Sequence, residues 1–341
     1  MKKPKLSITL IFLCLIFILA GCKKEEEVSR TDFLMDTFIT QFWQGENAQK
    51  TYDEIKALLE KEENALSSYK EESELTLLNK MSGKEPVKVE EETFAVLKRA
   101  KELSEISKGS FDITVAPLVK LWDVTGKEPH VPGKEEIKEK MSLVSYENLI
   151  LDEASQTAFL KNAGMEIDLG ALLKGYLAEK CLLIAENNGV RGYISVGGDM
   201  AVSGKKSDGR DFIMGIRNPR GSENEYIGTL TMEGTTMATA GDYERFFIED
   251  GRRYHHILDP FTGYPKETDL ISVSCVSDDG LLADFLSTYI FMEGGKNLSK
   301  FDGCEEFSFV AVDKDLNVYV SEGLRDSFEP NLSLEGFNFL L

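Results

Sequence analysis

The chain has 341 residues, 42% of them hydrophobic and 10% aromatic, with few prolines, an ordinary globular composition long enough for one large domain or two smaller ones. Its 39 basic residues face 59 acidic ones, a net charge of −20, which argues against nucleic acid and anionic headgroups as nonspecific partners. Any phosphate it binds must therefore be held by a local site.

The N-terminus departs from that composition. Lys2, Lys3 and Lys5 precede an apolar run from Leu6 to Ala20 that ends in LAGC, the pattern of a secretory signal peptide over residues 1–21. The run falls short of the ~20 apolar residues a spanning helix needs. Leu19-Ala20-Gly21-Cys22 resembles the bacterial lipobox, which implies acylation of Cys22 and a place on the outer face of the cell membrane. An uncleaved anchor helix is the alternative. Removal of residues 1–21 takes away three lysines and no acids, leaving 36 basic against 59 acidic residues, or −23. Cys181, Cys275 and Cys304 then remain as scattered, buried thiols rather than a disulfide or metal framework. Residues 22–31, rich in Lys and Glu, read as a flexible tether ahead of one folded domain over 32–341.

Apolar residues at helical spacing predict helices over 47–68 and 92–107, with Gly109 as a stop. Residues 123–140 are polar and proline-bearing, a surface excursion, and a third helix spans 171–187, beginning after DLG. From Gly192 on, ISVGGDMAV, DFIMGIR, YIGTLTM, ERFFIED and ISVSCVS read as strands between Gly, Asp and Asn turns. A helix opens at Asp279-Gly280, and FSFVAV and NVYVSE close the chain as strands. Helices early and strands late predict an α+β fold with a largely antiparallel or mixed sheet and flanking helices.

Several short constellations suit chemistry, and each has a plainer reading beside it. Asp284 and Thr288, one turn apart on the last helix, offer two oxygens for a hard divalent cation, or form a solvated helix edge. In MEIDLGALLKGY (165–176), Asp168 and Lys174 flank a strand-to-helix junction where an anion is welcome, unless Asp168 is simply a cap. The glycines of SVGGDM (195–200) permit close backbone approach by a ligand, or a tight turn. GIRNPR (215–220) offers two arginines as an anion clamp or as ordinary surface. TAGDYERFF (239–247) puts Asp242, Glu244 and Arg245 near a turn. In YHHILDP a strand would send His255 and His256 to opposite faces, leaving His256 at the strand's end as a general base, a phosphate contact, or a structural histidine.

Nine segments in order carry a resemblance: MDTF (35–38), SSYKEESELTLLN (67–79), GSFDITVAPLVKLW (109–122), DLGALLKGY (168–176), SVGGDM (195–200), GIRNPR (215–220), TAGDYERFF (239–247), HHILDPFTGYP (255–265) and LLADFLSTYIF (281–291). Together they resemble the ApbE family, enzymes that use Mg²⁺ to move the FMN half of FAD onto a threonine or serine hydroxyl of a partner protein, releasing AMP. The resemblance implies a single α+β unit with a helix-bearing subdomain. It also implies acceptors among subunits of membrane redox complexes and other extracytoplasmic flavoproteins. Carried over by position, Asp284, Thr288 and an oxygen of Ala171, its backbone carbonyl, would hold the metal. Met35 and Tyr69 would meet the adenine side of FAD, and Ser110, Phe111, Asp112, Asp168, Lys174 and Leu258 would line the rest. His256 would activate the acceptor hydroxyl or steady the departing phosphate. MDT stands where MGT is common, and Ala171 stands where relatives carry Gly, Ser or Thr. An FAD pyrophosphatase and a non-catalytic FAD-binding lipoprotein are the alternative functions.

Overall fold

The computed structural model describes residues 25–68, 70–222 and 224–340. The expected signal segment (1–21), Cys22 and Tyr69 lie outside the described residues. A hairpin of β1 (Glu26–Leu34) and β2 (Thr37–Gly45) opens the fold, followed by α1 (Ala48–Leu66), α2 (Glu74–Lys80), β3 (Val87–Lys88) and α3 (Glu91–Ile106). Then come α4 (Ala116–Trp122), α5 (Lys134–Met141), β4 (Leu149–Asp152), β5 (Thr157–Leu160) and α6 (Leu173–Asn187). The strand-rich half holds β6 (Arg191–Val196), β7 (Asp199–Ser203), β8 (Phe212–Arg217), β9 (Tyr226–Met232), β10 (Thr235–Gly241), β11 (Phe246–Glu249), β12 (Arg252–His255) and β13 (Leu270–Ser277). It closes with α7 (Gly280–Glu293), β14 (Ser308–Asp313), β15 (Asn317–Val320), β16 (Phe328–Pro330) and β17 (Asn338–Leu340).

A nine-stranded sheet in the order β1-β2-β6-β7-β10-β13-β14-β15-β17 is the frame. All its pairings are antiparallel except β15 with β17. One face carries Ile39, Trp43, Ile194, Val196, Val273 and Cys275 into the main core beneath α1, α6 and α7. The other face packs Val202, Met237, Val310, Val312 and Val318 against the small sheet β16-β9-β8. A satellite core of Leu118, Trp122, Ile137 and Leu258 joins α4 and α5 to the β11–β12 hairpin and forms the helix-bearing subdomain. The segment expected to be a surface excursion thus contains α5, anchored through Ile137.

The tether expected over 22–31 is strand from Glu26 onward. β1 pairs along its whole length with β2, from Glu26 opposite Gly45 to Leu34 opposite Thr37. Only Val28 is buried, opposite Trp43, while the charged side chains face solvent, so an edge strand is built here from backbone pairing and one apolar anchor. The turn that closes this hairpin puts Met35 and Asp36 at φ 56° and 57°, the pair of left-handed residues that a two-residue turn requires.

α7 is buried on almost every side, which is why its sequence reads apolar throughout. Asp279 caps it, its Oδ1 accepting the Leu282 N–H at 2.8 Å. α7 crosses α6 where both helices are bare of side chains. A Cβ on Gly175 would lie 2.1 Å from the Gly280 carbonyl oxygen, and one on Gly280 would lie 2.2 Å from that of Gly175.

Candidate active site

The close crossing brings the first turn of α6 against the second turn of α7. Asp284 is 2% exposed and Thr288 9%, so these residues sit inside the molecule rather than on a solvated edge. The Lys174 ammonium lies 3.3 Å from both Asp284 oxygens and donates at 2.7 Å to Oδ2 of Asp199, which opens β7 and is 1% exposed. Asp199 Oδ1 accepts the Thr239 N–H at 3.1 Å, tying the cluster to β10. Burial disfavours the ammonium, but the two carboxylates outweigh it and hold Lys174 charged well above its ordinary range. Burial, then the nearby Asp284 charge, pushes Asp199 well above the usual carboxylate range, with Lys174 opposing. Two carboxylates against one ammonium leave this buried cluster with an excess negative charge.

Hydrogen bonding at the start of α6 bears on a cation. The Gly175 N–H, which in a regular helix would close onto the Ala171 carbonyl, donates to Asp284 Oδ2 at 3.1 Å. The bonds at the start of the helix run instead from Leu172 and Leu173 to Leu169 and from Tyr176 to Leu172. The Ala171 carbonyl is thus not claimed by the Gly175 N–H beside Asp284. With the Thr288 hydroxyl one turn along α7, the donors are oxygen only and one is anionic, a set that fits a hard divalent cation such as Mg²⁺. Among the described residues no group of three or more His, Cys, Asp or Glu side chains forms a metal cluster, so a bound cation would complete its shell from substrate and water.

A cavity opens from this cluster toward the hairpin tip, lined by Met35, Asp36, Thr37, Leu66, Ser67, Asp168, Lys174, Val196 and Arg245 among others. Of the predicted residues, Met35, Asp168 and Lys174 thereby line one cavity. Asp168 does not cap α6, which begins five residues later; its Oδ1 accepts the Gly170 N–H at 2.7 Å and folds the connecting loop. Burial raises the Asp168 carboxyl above its ordinary range, opposed by that bond and by Arg245.

The other predicted residues do not line this cavity. Phe111 packs edge-to-face on Phe285, next to Asp284, with ring centroids 5.1 Å apart. The Asp112 carboxylate is engaged by Thr114, at 2.8 Å from its N–H and 2.7 Å from its hydroxyl, and by the Tyr146 N–H at 2.8 Å. Ser110 donates to the Ser107 carbonyl at 2.9 Å. Leu258 is buried in the satellite core and bridges to Pro265 across the turn that follows the histidines.

His255 ends β12 and His256 follows it. The His255 Nε2 bonds the Lys266 carbonyl at 3.1 Å, and its ring sits edge-to-face on Phe291, a structural placement. The carbonyl of Arg245 receives both the His256 N–H, at 3.1 Å, and its Nδ1, at 3.2 Å. A carbonyl only accepts, so Nδ1 carries the proton and Nε2 keeps a lone pair. Removal from water, then the Arg245 charge, holds the imidazole well below its ordinary range, so the ring is neutral at pH 7.

The arginine clamp expected at 215–220 is engaged elsewhere: Arg220 grips Asp242 through two bonds of 2.7 and 2.8 Å, and Arg217 pairs with Glu244 at 3.3 Å. Cys181 and Cys275 are buried, while Cys304 is only half-buried. Asp199 escaped prediction, although an acid opening an apolar strand after two glycines was its signal.

Chains of known function share this arrangement's sequence and fold. The profile of the ApbE family matches residues 35–304. The FAD:protein FMN transferase of Klebsiella pneumoniae is 32% identical over 275 residues, covering 80% of this chain and 85% of that protein. That of Treponema pallidum is 30% identical over 344 residues, covering 94% of each. The crystal structure of the ApbE protein from Thermotoga maritima superposes with a TM-score of 0.80 at 31% identity, over 87% of this chain and 98% of that one. The flavin transferase ApbE from Vibrio cholerae gives 0.79 at 25% identity, over 89% and 99%. With its profile matched from the hairpin tip to beyond α7, and its fold shared nearly end to end with solved members, the chain belongs to the ApbE family.

Proposed function

We propose that the protein is an FAD:protein FMN transferase that moves the FMN half of FAD onto a threonine or serine hydroxyl of an extracytoplasmic flavoprotein and releases AMP. The observation that carries this reading is the buried Lys174–Asp199–Asp284 cluster at the α6–α7 crossing, opening onto a cavity whose far wall is Met35. Asp284, Thr288 and the Ala171 carbonyl would hold Mg²⁺, which when bound supplies neutralisation of the charge that builds on phosphoryl oxygens. Lys174 is positioned to hold Asp199 and Asp284 in place rather than to meet phosphate directly, because both carboxylates already engage it.

In the transfer, the acceptor oxygen bonds to the FMN phosphorus as the bond to the AMP oxygen breaks, and the hydroxyl proton leaves. His256 Nε2 is the free acceptor for that proton. Burial and the Arg245 charge keep its basicity low, and diphosphate charge placed beside it would raise it, since a neighbouring anion favours the imidazolium. Asp112, tied to Thr114 and Tyr146, and Phe111, packed on Phe285, keep the 107–112 loop in place beside α7. Acylation of Cys22 would keep the enzyme at the outer face of the membrane with acceptors such as subunits of redox complexes.

The test is incubation with FAD, Mg²⁺ and a domain bearing the acceptor threonine, followed by mass spectrometry. An acceptor heavier by one FMN is the expected result. Free FMN and AMP with an unchanged acceptor would make the protein a pyrophosphatase, and intact FAD would make it a carrier.

A further inference from the structure

The residue that leads into the β11–β12 hairpin, Arg245, lines the cavity, and His256 stands beside it across the hairpin's open end. Phe246 pairs with His255 in the last rung of its ladder, and Arg245 and His256 extend it by one, joined through the bonds from His256 to the Arg245 carbonyl. The hairpin is held rigid by ring contacts: Phe247 stacks on Tyr254 at 5.3 Å, Tyr254 on Trp122 at 5.6 Å, and the Arg253 guanidinium lies 3.9 Å over Phe246.

Cations around this site are otherwise taken. Lys174 serves two aspartates, Arg217 serves Glu244, and Arg220 and Arg253 both reach Asp242. Arg245 differs: among the described residues its guanidinium has no carboxylate partner within ion-pair distance, and it lines the cavity together with Lys174, Asp168 and Met35. A guanidinium on a cavity wall with no carboxylate to grip suits an anion that brings several oxygens, since its fork matches two phosphate oxygens at once.

We infer that Arg245 is a phosphate-binding residue of this site, its guanidinium gripping the diphosphate of the flavin dinucleotide while its carbonyl fixes the proton of His256 on Nδ1. The inference rests on the transferase reading for the identity of the ligand. One residue thus sets both the position of the diphosphate and the free nitrogen that faces it, so the two are aligned by a single stretch of backbone.

Substitution of Arg245 leaves the carbonyl in place, so the side chain can be tested alone. Binding of FAD, ADP and riboflavin, which shares the flavin but lacks phosphate, is measured by fluorescence or calorimetry for the wild type, Arg245→Gln and Arg245→Lys. Loss of a charged bidentate contact predicts that Arg245→Gln weakens FAD and ADP roughly 10- to 100-fold, with riboflavin unchanged and the FAD salt dependence flattened. Arg245→Lys recovers part of the loss, since it restores a point charge but not the fork. Wild-type FAD affinity in Arg245→Gln overturns the inference, as does an equal loss for riboflavin, which would mean a role in cavity shape. If the wild type binds FAD, with Arg245→Gln weakened as expected, yet transfers no FMN, the transferase reading fails while the role of Arg245 stands.

Discussion

Replacing Lys174 with methionine keeps the side chain's length and removes its charge, leaving Asp199 and Asp284 facing one another at 1% and 2% exposure. Breaking a buried ion pair by deleting one partner costs about 3–5 kcal/mol, because the charge left behind has neither water nor a counter-ion. Unfolding entropy scales with length, so a chain of this size loses about 1.5 °C of Tm per kcal/mol, or roughly 5–8 °C in all. The loss depends on pH. Burial and the Asp284 charge already raise Asp199, and loss of Lys174 raises it further, so the folded variant holds a proton that the unfolded chain releases. A carboxyl raised on folding costs stability as pH climbs, by up to about 1.4 kcal/mol per pH unit. Scanning calorimetry should therefore show a large gap between Lys174→Met and wild type at pH 8 and a smaller one at pH 5, and Mg²⁺ should narrow the gap at pH 8. Equal melting temperatures at pH 8, or a gap that does not change with pH, would refute the electrostatic account of the cluster.

Asp284→Asn should keep the fold and lower FMN transfer by about a hundredfold or more, since metal-ion charge stabilisation amounts to several kcal/mol; steady-state rates across a Mg²⁺ titration would show it. His256→Ala should cut transfer by about 10²–10⁴ with FAD affinity retained, read from kcat against a binding isotherm. Gly175→Ala places a Cβ 2.1 Å from the Gly280 oxygen and 2.8 Å from the Asp284 Cβ, so the helices must part at a cost of about 3 kcal/mol or more, measured by denaturant unfolding. Glu62 is 1% exposed, and burial, then Glu92, raises its carboxyl from 4.5 to about 7. Wild-type stability should therefore decline as pH rises from about 4.5 to 7, and Glu62→Gln should flatten that slope in melts taken across the window.

The elements that sequence reveals most plainly are those whose pattern is local. The helices over 48–66, 91–106 and 280–293 and the strands β8, β9, β11, β13, β14 and β15 carry their burial in their own spacing, and the structure returns them within a few residues of expectation, whereas ISVGGDMAV divides into β6 and β7 and β10 lies where a turn was expected. β1 was hidden because an edge strand with one buried residue, Val28, has no alternation to read. The start of α6 slipped from 171 to Leu173 because Asp168 folds a loop instead of capping the helix. In the site, Asp284 and Thr288 are visible as a pair on one helix, but Asp199 reaches Lys174 across 25 positions and Asp284 reaches it across 110. No periodicity spans such distances. The engagement of Arg220 by Asp242, against the freedom of Arg245, likewise depends on which side chains meet in space.

β1 also sets how far an acylated molecule could roam. β1 begins at Glu26, and only three positions, 23–25, separate it in sequence from Cys22, which bounds their reach at roughly 10 Å. On so short a leash, with Cys22 acylated as proposed, the enzyme body rides close above the lipid and has little freedom to search. Under that proposed anchoring, acceptors would have to bring their target hydroxyl down toward the bilayer.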